Sequence, residues 1–116
     1  MKYTESTLQQ NCIKWFRYQY PSLAKLLFSV PNGGRRDVIE AKRLKAEGVV
    51  AGAPDLILLI GDSKYNALCI EMKAGKGRQS AAQKEWQQAA EKAGNKYVVC
   101  WSFDEFKREI EEYLGL

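Results

Sequence analysis

Residues Gly48 to Gly77, GVVAGAPDLILLIGDSKYNALCIEMKAGKG, hold two short apolar runs that each end in groups a buried strand would not choose for packing. The first opens at Pro54-Asp55 and continues as Leu56-Ile57-Leu58-Leu59-Ile60, while the second, Ala67-Leu68-Cys69-Ile70, ends at Glu71-Met72-Lys73. Apolar runs of this length, bounded by Gly, Asp and Ser, read as strands. With a turn at Gly61-Asp62-Ser63 the two become antiparallel neighbours, and the start of one lies beside the end of the other. Asp55 then faces Glu71 across the sheet. Two carboxylates so close repel, and in a half-buried place both stay ionised only when a cation sits between them. Side chains alternate along a strand, so Lys73 shares the face of Glu71. The stretch predicts a metal site with an ammonium beside it.

Upstream, Thr4 to Gln19 reads as an amphipathic helix, with Thr4 as N-cap and Pro21 just past the end. Steps of about 100° per residue put Leu8, Cys12, Trp15 and Phe16 on one arc, with Ile13 at its edge and Glu5 in the middle. An acid there either complements the helix N-terminus or protrudes beyond the core towards a cation. Leu26 to Val30 predicts a strand closed by the turn Pro31-Asn32-Gly33-Gly34. Arg35 and Arg36 follow, then a helix over Asp37 to Glu47 that carries Lys42. A glycine-rich turn followed by arginines lets amides and guanidinium groups approach phosphates together.

Downstream of Lys73, the loop Ala74 to Ser80 carries Lys76 and Arg78 and leads into a helix to Ala93. The loop lacks the spacing of a nucleotide-binding P-loop. Ser80 and Gln83 have capping-box spacing, yet Gln83 also shares a face with Trp86, Ala90 and Ala93. Lys96 to Trp101 predicts the last strand, and Ser102 with Glu105 opens a final helix with Phe106, Ile110, Tyr113 and Leu114 at core spacing.

The 116 residues suit one domain, here taken as 1–116. The chain has no His, which removes histidine-based triads and histidine-ligated metal centres. Carboxylate, lysine and metal remain for hydrolysis. Cys12, Cys69 and Cys100 stand in apolar contexts and read as buried thiols, not a disulfide framework. The net charge is +4, but the last fifteen residues carry −3, so residues 1–101 carry +7. A basic body suits a polyanionic partner. With no apolar run near the roughly 20 residues of a membrane span and no signal peptide at the start, the expectation is a cytoplasmic protein that engages no membrane.

Pro54-Asp55 with Glu71-Met72-Lys73 resembles the core of the PD-(D/E)xK nuclease superfamily. The surrounding Gly48 to Gly52 approach, Gly77, Gln83 and the strand Tyr97 to Trp101 narrow the likeness to the virus-type replication-repair nuclease (VRR-NUC) domain. The resemblance implies an α/β, restriction-endonuclease-like fold with a central mixed four-stranded sheet flanked by helices. It implies Mg²⁺ or Mn²⁺ held by Asp55, Glu71 and the Met72 carbonyl, with Glu5 as a further ligand. Lys73 and Gln83 join Asp55 and Glu71 as the catalytic group, and Arg35, Arg36, Lys42, Lys76 and Arg78 contact DNA. No nucleotide cofactor is implied. Stand-alone members are similar to archaeal Holliday-junction resolvases, so the resemblance points to a homodimer that cuts four-way junctions, of phage origin. A nickase, a flap or duplex endonuclease, and a silent nucleic-acid-binding module are the alternatives.

Overall fold

Four short polar side chains open the four α-helices found among the described residues. Thr4 Oγ1 accepts from the Thr7 amide at 3.0 Å ahead of α1 (Glu5–Gln19), and Asp37 Oδ1 from the Glu40 amide at 2.7 Å ahead of α2 (Val38–Ala46). Ser80 and Ser102 do the same at 3.1 Å ahead of α3 (Ala81–Lys92) and α4 (Phe103–Leu114). Each such cap stabilises its helix by about 1 kcal/mol. At Ser80 the box is complete, because Gln83 Oε1 accepts from the Ser80 amide in return. At Ser102 the predicted box is shifted by one residue: the Glu105 carboxylate accepts from the Trp101 amide at 2.9 Å.

The computed structural model describes residues 4–31 and 37–115. The predicted turn residues Asn32 to Gly34 and the phosphate candidates Arg35 and Arg36 lie outside the described residues. Four strands form one mixed sheet in the order β1 (Leu27–Ser29), β2 (Leu56–Leu58), β3 (Leu68–Met72) and β4 (Lys96–Cys100). β1 pairs antiparallel with β2 and β2 with β3, while β4 lies parallel to β3 after the α3 crossover.

Two local expectations change. Pro21 does more than end α1, because it opens a 3₁₀ turn, Pro21–Leu26, that shortens the predicted first strand. Proline fixes φ near the helical value and needs no amide partner, which suits the first position of such a turn. The β2–β3 connection is also longer than a tight turn at Gly61. Asp62 Oδ1 accepts from the Lys64 and Tyr65 amides at 2.8 and 2.6 Å, so its side chain shapes the loop in place of the strand ladder.

One face of the sheet is the main core. Leu56, Leu58, Leu68, Ile70, Met72 and Cys100 pack there against Leu8, Cys12 and Phe16 of α1 and Phe106, Ile110 and Tyr113 of α4. The other face carries Cys69, Glu71, Lys73 and Tyr97 beneath α3, where the Trp86 and Tyr97 ring centres are 6.1 Å apart. All three cysteines are buried and free. Burial pushes the Cys12 and Cys100 thiols up to about 12 and Cys69 up to about 11. Among the described residues no helix is long and apolar enough to cross a membrane.

Candidate active site

Leu56 pairs with Ile70 in the β2–β3 ladder, so one step further along that register sets Asp55 opposite Glu71. Pro54, buried just before Asp55, cannot donate to a ladder and ends the strand there. Asp55 is half-buried, and its Oδ2 accepts from the Met72 amide at 2.7 Å. Burial raises the Asp55 pKa above the ordinary carboxylate value, the Met72 amide opposes that shift, and Glu71 raises it further. Met72 thus presents its amide to one carboxylate while its side chain sits in the core.

Glu71 is fully buried and its two oxygens are treated differently. Oε1 accepts a short bond from the Tyr97 hydroxyl and a second at 3.4 Å from Gln79 Nε2. Oε2 has no hydrogen-bond partner, although Lys73 Nζ lies 3.3 Å away. The bond to Glu71 also helps burial hold the Tyr97 hydroxyl well above the ordinary phenol value. The Lys73 ammonium is the one counter-charge at Oε2 among the described residues, and a buried carboxylate oxygen stripped of it would cost about 1 to 3 kcal/mol or more. Across from Asp55 and beside a backbone segment, that oxygen fits a hard, oxygen-seeking divalent cation. Among the described residues no three acidic or thiol side chains converge closely enough to cage an ion, so Asp55 and Glu71 form the acidic centre by themselves.

Lys73 is 8 % exposed, and Gln83 fixes its ammonium by accepting from Nζ at 3.2 Å. The same Gln83 oxygen accepts from the Ser80 amide at 2.7 Å, so one side chain closes α3 and holds Lys73. Glu5, expected as a further metal ligand, is exposed on the first turn of α1 and lines a cavity together with Asp55, without converging with Asp55 and Glu71 into one three-carboxylate cluster. A Cβ built on Gly77 would come within 3.6 Å of Glu5 Oε2 and 3.4 Å of Lys73 Cδ, so the β3–α3 loop crosses directly beside this end of α1. That loop carries Lys76 and Arg78 on its exposed side. Lys42 is exposed on α2.

Sequence reasoning missed Tyr97 and Gln79. Tyr97 carries the one hydroxyl in the apolar β4 run, and a buried phenol seeks a polar partner, which was the available signal. Gln79 gave none, and its amide bridges Glu71 to Gln87, whose oxygen accepts at 2.8 Å. The Tyr97→Phe change is expected to free Glu71 to rotate, weaken divalent-ion binding several-fold and lower stability by about 1 to 3 kcal/mol. Titration calorimetry with Mn²⁺ and urea unfolding measure the two effects, and unchanged ion affinity in a folded variant would deny Tyr97 this positioning role.

A mixed α/β sheet of this order, with Asp55 opposed to Glu71 and Lys73 on the same edge, defines a restriction-endonuclease-like fold of the PD-(D/E)xK nuclease type. The VRR-NUC domain model matches residues 3–104, and the chain belongs to that family. A solved structure of a VRR_NUC domain protein is 31% identical, with a TM-score of 0.86 over 100% of this chain and 92% of that chain. No curated protein sequence matches the chain. The family makes the chain a nuclease, and a nuclease domain implies DNA binding.

Proposed function

We propose that this chain is a Mg²⁺- or Mn²⁺-dependent endonuclease that hydrolyses DNA phosphodiester bonds, with a preference for four-way junctions cut by a two-fold homodimer. The observation that carries the metal reading is the Glu71 carboxylate, opposite Asp55 in the β2–β3 register, pinned through Oε1 by Tyr97 and with an Oε2 that accepts no hydrogen bond and has Lys73 Nζ beside it. Asp55, Glu71 and the Met72 carbonyl would hold the ion, with Glu5 at the rim. A bound divalent ion polarises a phosphate oxygen and lowers the pKa of a bound water, which supplies a nucleophile without histidine.

The residues of the chain do the rest. Lys73 places a fixed ammonium where negative charge builds on the phosphoryl oxygens, and Gln83 keeps that ammonium in place. Tyr97 and Gln79 hold Glu71 in one rotamer. Lys76 and Arg78, on the β3–α3 loop, would meet backbone phosphates, and Arg35, Arg36 and Lys42 are further candidates for phosphate contacts. The dimer enters through substrate symmetry: one chain offers one such centre, and cutting both strands of a junction symmetrically needs two.

The experiment is cleavage of a labelled four-way junction beside a linear duplex of the same sequence, with Mg²⁺, Mn²⁺ or EDTA. Junction cutting by a dimer, restored by metal and absent in EDTA, is the expected result. Equal cutting of both DNAs would remove the junction preference. Binding without cutting under every metal would leave a nucleic-acid-binding module.

A further inference from the structure

A cavity of about 490 Å³ runs from Asp55 along the outer side of α1 and the edge of β1. Its two ends differ in charge. Glu5 and Asp55 stand at one end, while Lys14 and Arg17 line the other, both exposed and neither in an ion pair among the described residues. Gln10 lines it between those ends, and Phe28, 40 % exposed on the edge strand, gives it an apolar wall. Lys14 and Arg17 are three residues apart, so they project from neighbouring positions of one helix face. Lys14 and Arg17 lie outside the arc of α1 that turns Leu8, Cys12 and Phe16 to the core, so two cations over a groove, in no ion pair among the described residues, match no need of the core.

The length suits a nucleic-acid strand. Glu5 to Arg17 spans about 18 Å of helix at 1.5 Å per residue, equal to about five nucleotide steps of a duplex strand at 3.4 Å each. Beyond Glu5, on the far side from Lys14, lies the loop with Lys76 and Arg78. Cations therefore stand in the groove that Asp55 lines and on the loop beside Glu5. Cations in both places suit a strand that passes over the centre, whereas a strand that ended there would need them in one place only.

We infer that the α1–β1 groove is the path of the DNA strand on one flank of the bond to be cut, with Lys14 and Arg17 on its phosphates and Phe28 beside its sugars or bases. This rests on the nuclease reading above and adds a binding subsite to it. Charge complementarity names the occupant, since polyanionic backbone fits the basic end and a cation-bound phosphate fits the acidic end.

The test is DNA affinity by fluorescence anisotropy in EDTA at several salt concentrations, on the same junction and duplex, with the double variant Lys14→Ala/Arg17→Ala. A second double variant, Lys107→Ala/Arg108→Ala on the exposed side of α4, removes the same charge elsewhere. The groove variant is expected to bind roughly tenfold more weakly and to lose about two units of salt slope, one per phosphate contact. A groove variant indistinguishable from the α4 variant, while wild type binds and cuts, would overturn the groove and leave the nuclease reading standing. Wild type that neither binds nor cuts DNA would overturn both.

Discussion

Lys73→Ala is expected to lower DNA cleavage by about 10²- to 10³-fold, the loss seen when a fixed donor to developing charge is removed. The same change should cost about 3 kcal/mol of stability, because Glu71 is fully buried and Lys73 is the cation beside it, at 3.3 Å. The two losses have one origin. Removing the ammonium leaves a carboxylate held by Tyr97 and Gln79 on one oxygen and by nothing on the other. A divalent ion can take over the missing countercharge, so the variant should be stabilised by Mg²⁺ or Mn²⁺ more than wild type is. At an ion concentration near 100 times Kd the gain is about 2.7 kcal/mol. Urea unfolding with and without metal reads the stability, and single-turnover cleavage reads the chemistry. A variant as stable as wild type, indifferent to metal and still cutting at full rate would remove Lys73 from both roles.

The parts of this site that were legible in the sequence are those set by local chemistry. Asp55 and Glu71 sit at opposite ends of consecutive antiparallel strands, so their juxtaposition follows from register. Lys73 follows from alternation along β3. Thr4, Asp37, Ser80 and Ser102 open the four helices because each has an oxygen within reach of the amide three residues on. Gln83 showed its capping interaction in advance through spacing, and its helix face turned it towards the sheet, but its bond to Lys73 was not legible.

What escaped reading depends on distance along the chain. Tyr97 reaches Glu71 from 26 residues away, and the pairing exists because β4 lies parallel to β3 after the α3 crossover. Strand order of that kind is a tertiary outcome that periodicity does not encode. The groove needed α1 to settle against the sheet with β1 at its edge, and neither element announces the other. The Asp62 loop failed for a different reason: Gly61 suggested a tight turn, but a single carboxylate that caps two amides makes a longer loop at low cost. Glu5 shows both limits. Its place in the middle of an apolar arc signalled something unusual, and only the tertiary fold brings it to the lining of the same cavity as Asp55.

The approach to Asp55 should be as sensitive as the site itself. Gly52 has φ +87°, and a Cβ there would stand 2.3 Å from the Ala82 carbonyl oxygen and 2.5 Å from its carbon. Those are backbone atoms in the first turn of α3, so no side-chain rotation relieves the clash. Gly48 is a matched control with φ +108° and nothing within 4 Å of its would-be Cβ. Gly48→Ala is expected to cost about 1 to 2 kcal/mol, the penalty of a left-handed residue alone. Gly52→Ala adds an overpacking term of about 1 to 3 kcal/mol, so it should be the more destabilising of the two in urea. Its effect on cleavage should also exceed that of Gly48→Ala at temperatures where both are folded. The first turn of α3 carries Gln83, which accepts from Lys73, and a shift of that turn loosens the ammonium. Equal stability and equal cleavage in the two alanine variants would mean that the segment before Asp55 does not rest on α3, and that the helix positions Lys73 without its help.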